Sequence, residues 1–431
     1  MIIDNKRTQN HVVLLMFLIL TISGFYIYSQ IDIPSFNIPW ATQIANNKLN
    51  IYSGSISPKV DYPPLLPLIF GIIGALIKLL NHFFSLPAAT IYFLQNGLLK
   101  MPAIIVLTFF TRFFITRSRD SLADAKAFST IFTYLLTSLS IFFNAIVWGQ
   151  VDVILIAEMF FAFYFLVNER INVASFFLVL GIVTKLQAVY FVPIFVVYAI
   201  RYFKNNQWLQ GLLTGCIVFT TVWAPFAFVN RNLLLPFQIY LKGSSSYPVL
   251  NAGAFNFWGA IDPRKLERVT SIHKDIFGML LFSWLNYLIL LSILIIALVL
   301  ILLNKQNLFI GGLIYTLAIF TFSMSQHERY EMTVLPFVLL ALLYSNSPNL
   351  KKAFGHIWIS LDCIIFLNMA YIYTYLLHVI GYSTILVRLF SIVSVAISLS
   401  TIVFCCRQVQ CLHGSGKLFY LNHNKNVNIK K

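Results

Sequence analysis

The feature that most constrains this chain is a succession of long apolar runs with almost no charge inside them. The run "GMLLFSWLNYLILLSILIIALVLILL" (278–303) is one example. About 20 such residues in a helix cross about 30 Å of hydrocarbon, and in lipid a helix satisfies its own backbone. Composition agrees: 59% of the 431 residues are hydrophobic and only 10% are charged, too few to cover a soluble globule. An all-α integral membrane protein is expected, one polytopic domain over residues 1–431.

Full spans are placed near 12–29, 89–112, 127–147, 151–167, 208–228, 278–303, 308–324, 332–346, 356–378 and 384–404. Residues 12–29 follow a short "NKR" segment with no small-residue cleavage site after them, so they are read as a retained span. Residues 173–200, broken by "TKLQ", are read as two short helices with Lys185 and Gln187 at the tip. Residues 63–80 are placed in the outer interface. The basic loop after residue 112 then falls inside, and later basic loops keep step with the positive-inside rule. The result is a bundle of about 12 transmembrane helices with a large first outer loop. The segments are a cytoplasmic N-terminus (1–11), the first outer loop with interfacial helices (30–88), a long outer loop (229–276) and a basic cytoplasmic tail (405–431). The long outer loop is itself basic and is the main exception to the rule.

A net charge of +16 would suggest nucleic acid in a soluble protein. In a polytopic one it reports orientation, and nucleic acid is discounted. The five cysteines (Cys216, Cys363, Cys405, Cys406, Cys411) have no ligand spacing and imply neither a zinc site nor a disulfide framework.

This topology gathers the unusual polar clusters on the outer face: "SQIDIPSFNIPW", "KVDYPPLLP", "VWGQVD", "TKLQ", "NAGAFNFWGAID" and "SQHERYE". Ionisable groups at membrane depth point to function. Each cluster also has a plainer explanation. Asp61 in "DYPP" suits a helix start, Asp32 suits an ordinary interfacial acid, and Trp148 suits the aromatic belt. Gln150 and Asp152 join two spans with almost no loop, so they face the bundle interior or a watery cavity. Glu158 and Lys100, deeper in their spans, are expected to form a structural ion pair. Arg329 offers a planar donor fork suited to phosphate, with His327 as a further donor, Lys185 on the same face and Glu328 orienting the arginine.

The segments "DYPPLLPLIFG", "FNAIVWGQVDVI", "VTKLQAVYFVPIF", "NAGAFNFWGAI" and "HERYEMTVLPFVLLAL", in this order, resemble bacterial membrane glycosyltransferases of the GT-C superfamily. More narrowly they are similar to proteins related to the eukaryotic second GPI mannosyltransferase, and distantly to the dolichol-dependent glucosyltransferases of the endoplasmic reticulum. The resemblance covers roughly residues 10–345 and departs at Val153, Leu186 and Glu331, where relatives tend to show "WGQVDS", "KPQ" and "HERYLLP".

The resemblance implies an inverting hexosyltransferase, mannosyltransferase-like, that takes its sugar from a polyprenyl- or dolichyl-phosphate carrier. Its site would face the periplasm, exterior or lumen, with the bacterial inner membrane the expected location. Asp32 maps onto the family's general base, and Asp61 is the rival. Lys185, His327 and Arg329 are the candidate phosphate ligands. Gln150, Asp152, Gln187, Asn256 and Glu328 are expected to bind or orient substrate. The acceptor (glycan, lipid or protein), the sugar and any divalent metal stay open, and the lipid-phosphate sugar is a substrate rather than a cofactor. Membrane lipids are the remaining partner. A multi-span lipid or solute transporter or flippase is the competing class, although paired broken helices in both halves are not evident in the sequence.

Overall fold

A computed structural model of the chain describes residues 6–47, 49–52, 56–117, 122–244, 249–264 and 276–412. The structure is all-helical, with only isolated bridges and no strand among the described residues. Among the described residues, six helices are long and apolar enough to cross a membrane, or seven if the bent pair Ala127–Thr137 and Leu139–Trp148 is one span. The protein is therefore a multi-pass helical membrane protein by length and composition. The shortfall from about 12 has a physical reason.

Three expected spans are short helices inside the bundle: Asp152–Val167, Leu308–Phe322 and Leu335–Tyr344, of 16, 15 and 10 residues. At 1.5 Å per residue, 15 residues reach only about 23 Å. Leu308–Thr321 and Leu335–Leu343 are buried throughout, so their neighbours are other helices rather than lipid. By contrast, Trp284–Leu303 has only 11% of its window buried and presents its apolar side chains outward. Short central helices leave the polar segments at their ends sunk within the protein: Gln150, Asp152, Lys185, Gln326 and Glu328 are all buried.

Two central elements are broken as well as short. Ala127–Thr137 and Leu139–Trp148 meet at 46°. The break is held by Asp362, which accepts from the Ser138 and Ser140 hydroxyls and from the Leu139 and Ser140 amides. Those amides begin the second half of the bend, so a buried carboxylate caps a helix start. The other break falls at Lys185, between Ile171–Thr184 and the segment Leu186–Tyr202, as the sequence suggested.

In the first outer loop, Ile38–Asn47 packs on Leu65–Phe84 through two glycines. A Cβ on Gly74 would lie 2.1 Å from the Ala41 carbonyl oxygen, and one on Gly71 would lie 2.3 Å from Ile44. Leu65–Phe84 is 20 residues long and also qualifies as a span by composition. It starts without a side-chain cap, with Pro64 at the cap position, so Asp61 is not the helix-start residue that "DYPP" suggested. The basic residue Arg119 and the tail beyond Leu412 lie outside the described residues.

Candidate active site

The site begins with how Asp32 is held. The first helix, Lys6–Tyr26, ends on carbonyls that have no partner within the helix. Asn96 Nδ2 donates to the carbonyls of Gly24, Phe25 and Ile27 at 3.0, 3.0 and 3.2 Å. Lys100 Nζ donates to Gly24 and Ile27 at 3.1 and 2.5 Å. A buried cation at a helix C-terminus is favourable. The expected Lys100–Glu158 ion pair is therefore replaced by this cap, and Glu158 instead accepts from Thr184 Oγ1 at 2.9 Å.

From the cap the chain is pinned residue by residue. Ser29 donates its amide to Asn96 Oδ1 (3.1 Å) and its hydroxyl to the Val147 carbonyl (2.8 Å). The Gln30 amide donates to the Tyr373 hydroxyl at 3.1 Å, and Asn37 Nδ2 donates to the Gly149 carbonyl at 3.3 Å. Asp32 lies between these pins, directly before the π-helical turn Ile33–Asn37. A second π-helical turn, Phe143–Trp148, supplies the "WGQVD" side. Such turns are rare and recur at functional sites. Gly149 adopts φ +81°, and a Cβ there would lie 2.5 Å from Ile33, so only glycine allows the two motifs to meet.

Behind this layer lies a buried charge pair. Lys185 Nζ donates to Asp152 Oδ1, and both side chains are almost fully buried. Asn144 completes the carboxylate's environment: its Nδ2 donates to Asp152 Oδ2 at 2.9 Å, and its Oδ1 accepts the Asp152 amide at 3.3 Å. Arg329 Nε stands 3.8 Å from Asp152 Oδ2, which couples this pair to the next motif.

"SQHERY" is fixed against "LNAG". The Ser325 amide donates to the Leu250 carbonyl and the Ala252 amide to the Gln326 carbonyl, both at 3.2 Å. Asn368 clamps the same loop, accepting from the Phe255 amide and donating to the Gly253 carbonyl, both at 2.8 Å. Within the motif, Arg329 Nη1 donates to Glu328 Oε1 at 2.6 Å, and His327 Nδ1 lies 3.7 Å from Glu328 Oε2. Glu328 therefore orients both donors. Burial pushes its carboxyl up, but the Arg329 charge and the His327 contact outweigh that and hold it at about 2. Arg329 Nε is buried, makes no hydrogen bond and faces Asp152.

These elements enclose one cavity of about 340 Å³. Its polar lining includes Asp32, Asp61, Gln150, His327, Glu328 and Arg329; an apolar wall is formed by Ile31, Phe36, Phe70, Ile372 and Leu376. Burial raises the pKa of Asp32, against the pull of Arg329 and with a push from Glu328. It raises Asp61 likewise, against Arg329, His327 and Lys185. Both are shifted toward stronger bases.

The expected site residues thus divide. Asp32, Asp61, Gln150, His327, Glu328 and Arg329 share the cavity, whereas Asp152 and Lys185 stand behind it. Lys185, expected on phosphate, is occupied by Asp152. Gln187 is buried outside the lining, its Oε1 without a hydrogen bond. Asn256 is fully buried and structural: its Oδ1 caps Phe257–Ile261 through the Gly259 amide, and its Nδ2 donates to the carbonyls of Phe320 and Ser323. Glu331, where the chain departs from the resemblance, is buried with neither carboxylate oxygen hydrogen-bonded.

The sequence reading missed Asn144, Tyr62 and Tyr373. Tyr62 lines the cavity and donates to Gln150 Oε1 at 3.5 Å. Its signal was its position beside Asp61 in "DYPP". Among the described residues, no group of three or more His, Cys, Asp or Glu side chains is arranged to hold a metal ion. No family model matches the chain, and no curated protein matches it.

Proposed function

We propose that this protein is a membrane glycosyltransferase that moves a hexose, mannose-like, from a polyprenyl- or dolichyl-phosphate sugar to an acceptor hydroxyl. The observation that carries the reading is the content of one cavity. It holds a carboxylate, Asp32, whose basicity is raised by burial; a guanidinium, Arg329, in the lining; and an apolar wall suited to a lipid-linked substrate. Its size, about 340 Å³, falls in the range of small-molecule sites.

In this reading Asp32 accepts the proton of the acceptor hydroxyl as that oxygen attacks the anomeric carbon. The bond from the anomeric carbon to the phosphate oxygen breaks on the opposite face, giving inversion. The lipid phosphate leaves with the bonding electrons, and Arg329 and His327 stabilise its charge. Phosphate departs without a protonated acid, so one base suffices. Glu328 and the Asp152–Lys185 pair hold Arg329 in place rather than touching the donor. In this reading the chain crosses the bacterial inner membrane about 12 times with the cavity facing outward, each short central helix counting as a crossing.

The second reading, a lipid or solute transporter, is favoured by broken helices. The structure adds the bent pair at 127–148 to the break at Lys185. Both lie in the first half of the chain, whereas inverted-repeat transporters place matching breaks in each half. The deciding experiment supplies purified protein in nanodiscs with a polyprenyl-phosphate hexose and counts sugar released from the lipid, with water as the acceptor of last resort. Release by the wild-type protein is expected. No release, together with movement of a lipid or solute across sealed vesicles, would establish the transporter.

A further inference from the structure

Beside the first cavity lies a second, of about 270 Å³, with different chemistry. Its polar lining is Tyr52, Lys59, Asn230, Asn232, Gln238 and Lys242: two ammonium groups, three carboxamides and a phenol, with no acid among the described residues. The segment 59–62 forms part of both walls, since Lys59 lines the second cavity and Asp61 and Tyr62 line the first. Tyr52 ties them together, donating its hydroxyl to the Tyr62 carbonyl at 2.8 Å while its ring stacks on Trp223 at 5.7 Å. Gln238 Oε1 accepts from Asn232 Nδ2 at 2.9 Å, joining two of the lining carboxamides.

The helix Leu235–Ser244 that carries half of this lining has three distinct stripes. Leu235 and Ile239 are buried and form the apolar part of the cavity's lining. Gln238 and Lys242, one turn apart, face the cavity. Phe237 and Leu241, continued by Leu233 and Leu234 just before the helix, are exposed large apolar side chains. Such a helix suits the boundary between lipid tails and headgroups, with its cations at headgroup level. Lys242 is one of the basic residues of the long outer loop, the main exception to the orientation rule.

We propose that the second cavity binds the phosphate-bearing, hydroxyl-bearing headgroup of a membrane-anchored acceptor and presents it beside Asp61 to the first cavity. Ammonium groups meet the phosphate, carboxamides meet the hydroxyls, and the exposed apolar stripe of Leu235–Ser244 lies against the acyl chains. Naming the ligand an acceptor rests on the transferase reading. The headgroup site does not.

The test uses native mass spectrometry of the full chain in detergent, titrated with phosphatidylglycerol or with phosphatidylcholine of the same chain length. Retention of phosphatidylglycerol over phosphatidylcholine is expected, weakened about tenfold or more in the double variant Lys59→Gln, Lys242→Gln. Arg329→Lys should leave this retention unchanged. If the double variant does not fold, Gln238→Glu introduces an acid at nearly constant shape and should weaken retention in the same sense. Lysine-dependent displacement of the retained lipid by glycerol 3-phosphate, a fragment of its headgroup, is expected as well, whereas binding of glycerol 3-phosphate without selective retention of phosphatidylglycerol would overturn the membrane-anchored ligand. Equal retention of phosphatidylglycerol by the wild-type protein and the folded variants would overturn the proposal, as would equal retention of the two lipids. Donor-sugar release measured alongside separates the two readings: its absence with lysine-dependent lipid binding sinks the transferase alone.

Discussion

Asp32 and Asp152 are the same residue type and both feel Arg329, yet they belong to different regions. Asp152 is almost fully buried, bonded to Lys185 and Asn144, with its charge matched on the spot. Asp32 is half-buried on the cavity wall, forms no ion pair among the described residues, and has its basicity raised by burial. The difference lies in the counter-ion: Asp152 has a fixed one, whereas Asp32 has none among the described residues, and in the proposed reading that leaves Asp32 to take the proton. His327 and Arg329 lie on the cavity side of that boundary, and Lys185 on the buried side.

The largest expected effect breaks the buried region. Asp152→Ala strands Lys185 as an uncompensated buried cation, and a loss of about 3 to 5 kcal/mol is expected, read as a fall in thermal unfolding temperature in detergent. Pairing it with Lys185→Met should restore most of that stability, because both charges are then gone. A single variant as stable as the wild-type protein would mean that the pair does not support the fold.

A smaller effect sharpens the cavity side. Arg329→Lys keeps the charge but loses the fork, and binding of a polyprenyl-phosphate sugar should weaken by about 1 to 3 kcal/mol with the fold intact. Unchanged affinity in a titration would return "HERY" to a structural role. The smallest effect concerns Asp61. Asp61→Asn keeps one acceptor oxygen in the same place, so turnover should fall by about 1 kcal/mol, roughly fivefold. A fall as large as that of Asp32→Asn would exchange the two assignments.

The sequence made the membrane class and the convergence of the motifs legible, because both follow from where polar residues interrupt apolar runs. "IDIP", "DYPP", "WGQVD" and "HERY" do meet at one cavity. Depth was not legible. A helix of 15 apolar residues reads as a span, and only packing reveals that Leu308–Thr321 is buried by protein on all sides. Neutralisation was not legible either. Lys185 and Lys100 carry the same charge, but one meets a carboxylate and the other a helix end, a choice made by elements far apart in the chain. Asn144 escaped because its bond to Asp152 runs across a π-helical turn, eight residues away and off the usual helical spacing.

The most direct test of the division between the two aspartates is sugar release from a polyprenyl-phosphate hexose by the wild-type protein and by Asp32→Asn, measured together across pH. Asp32→Asn is nearly isosteric and removes the proton acceptor, so turnover should fall about 100-fold or more while donor binding persists. In the wild-type protein the base must be ionised. Since burial raises the Asp32 pKa, turnover should decline as pH falls through a value above the ordinary aspartate range, and that limb should vanish from the residual rate of the variant. Full turnover by a folded Asp32→Asn, with the acid limb retained, would contradict the account.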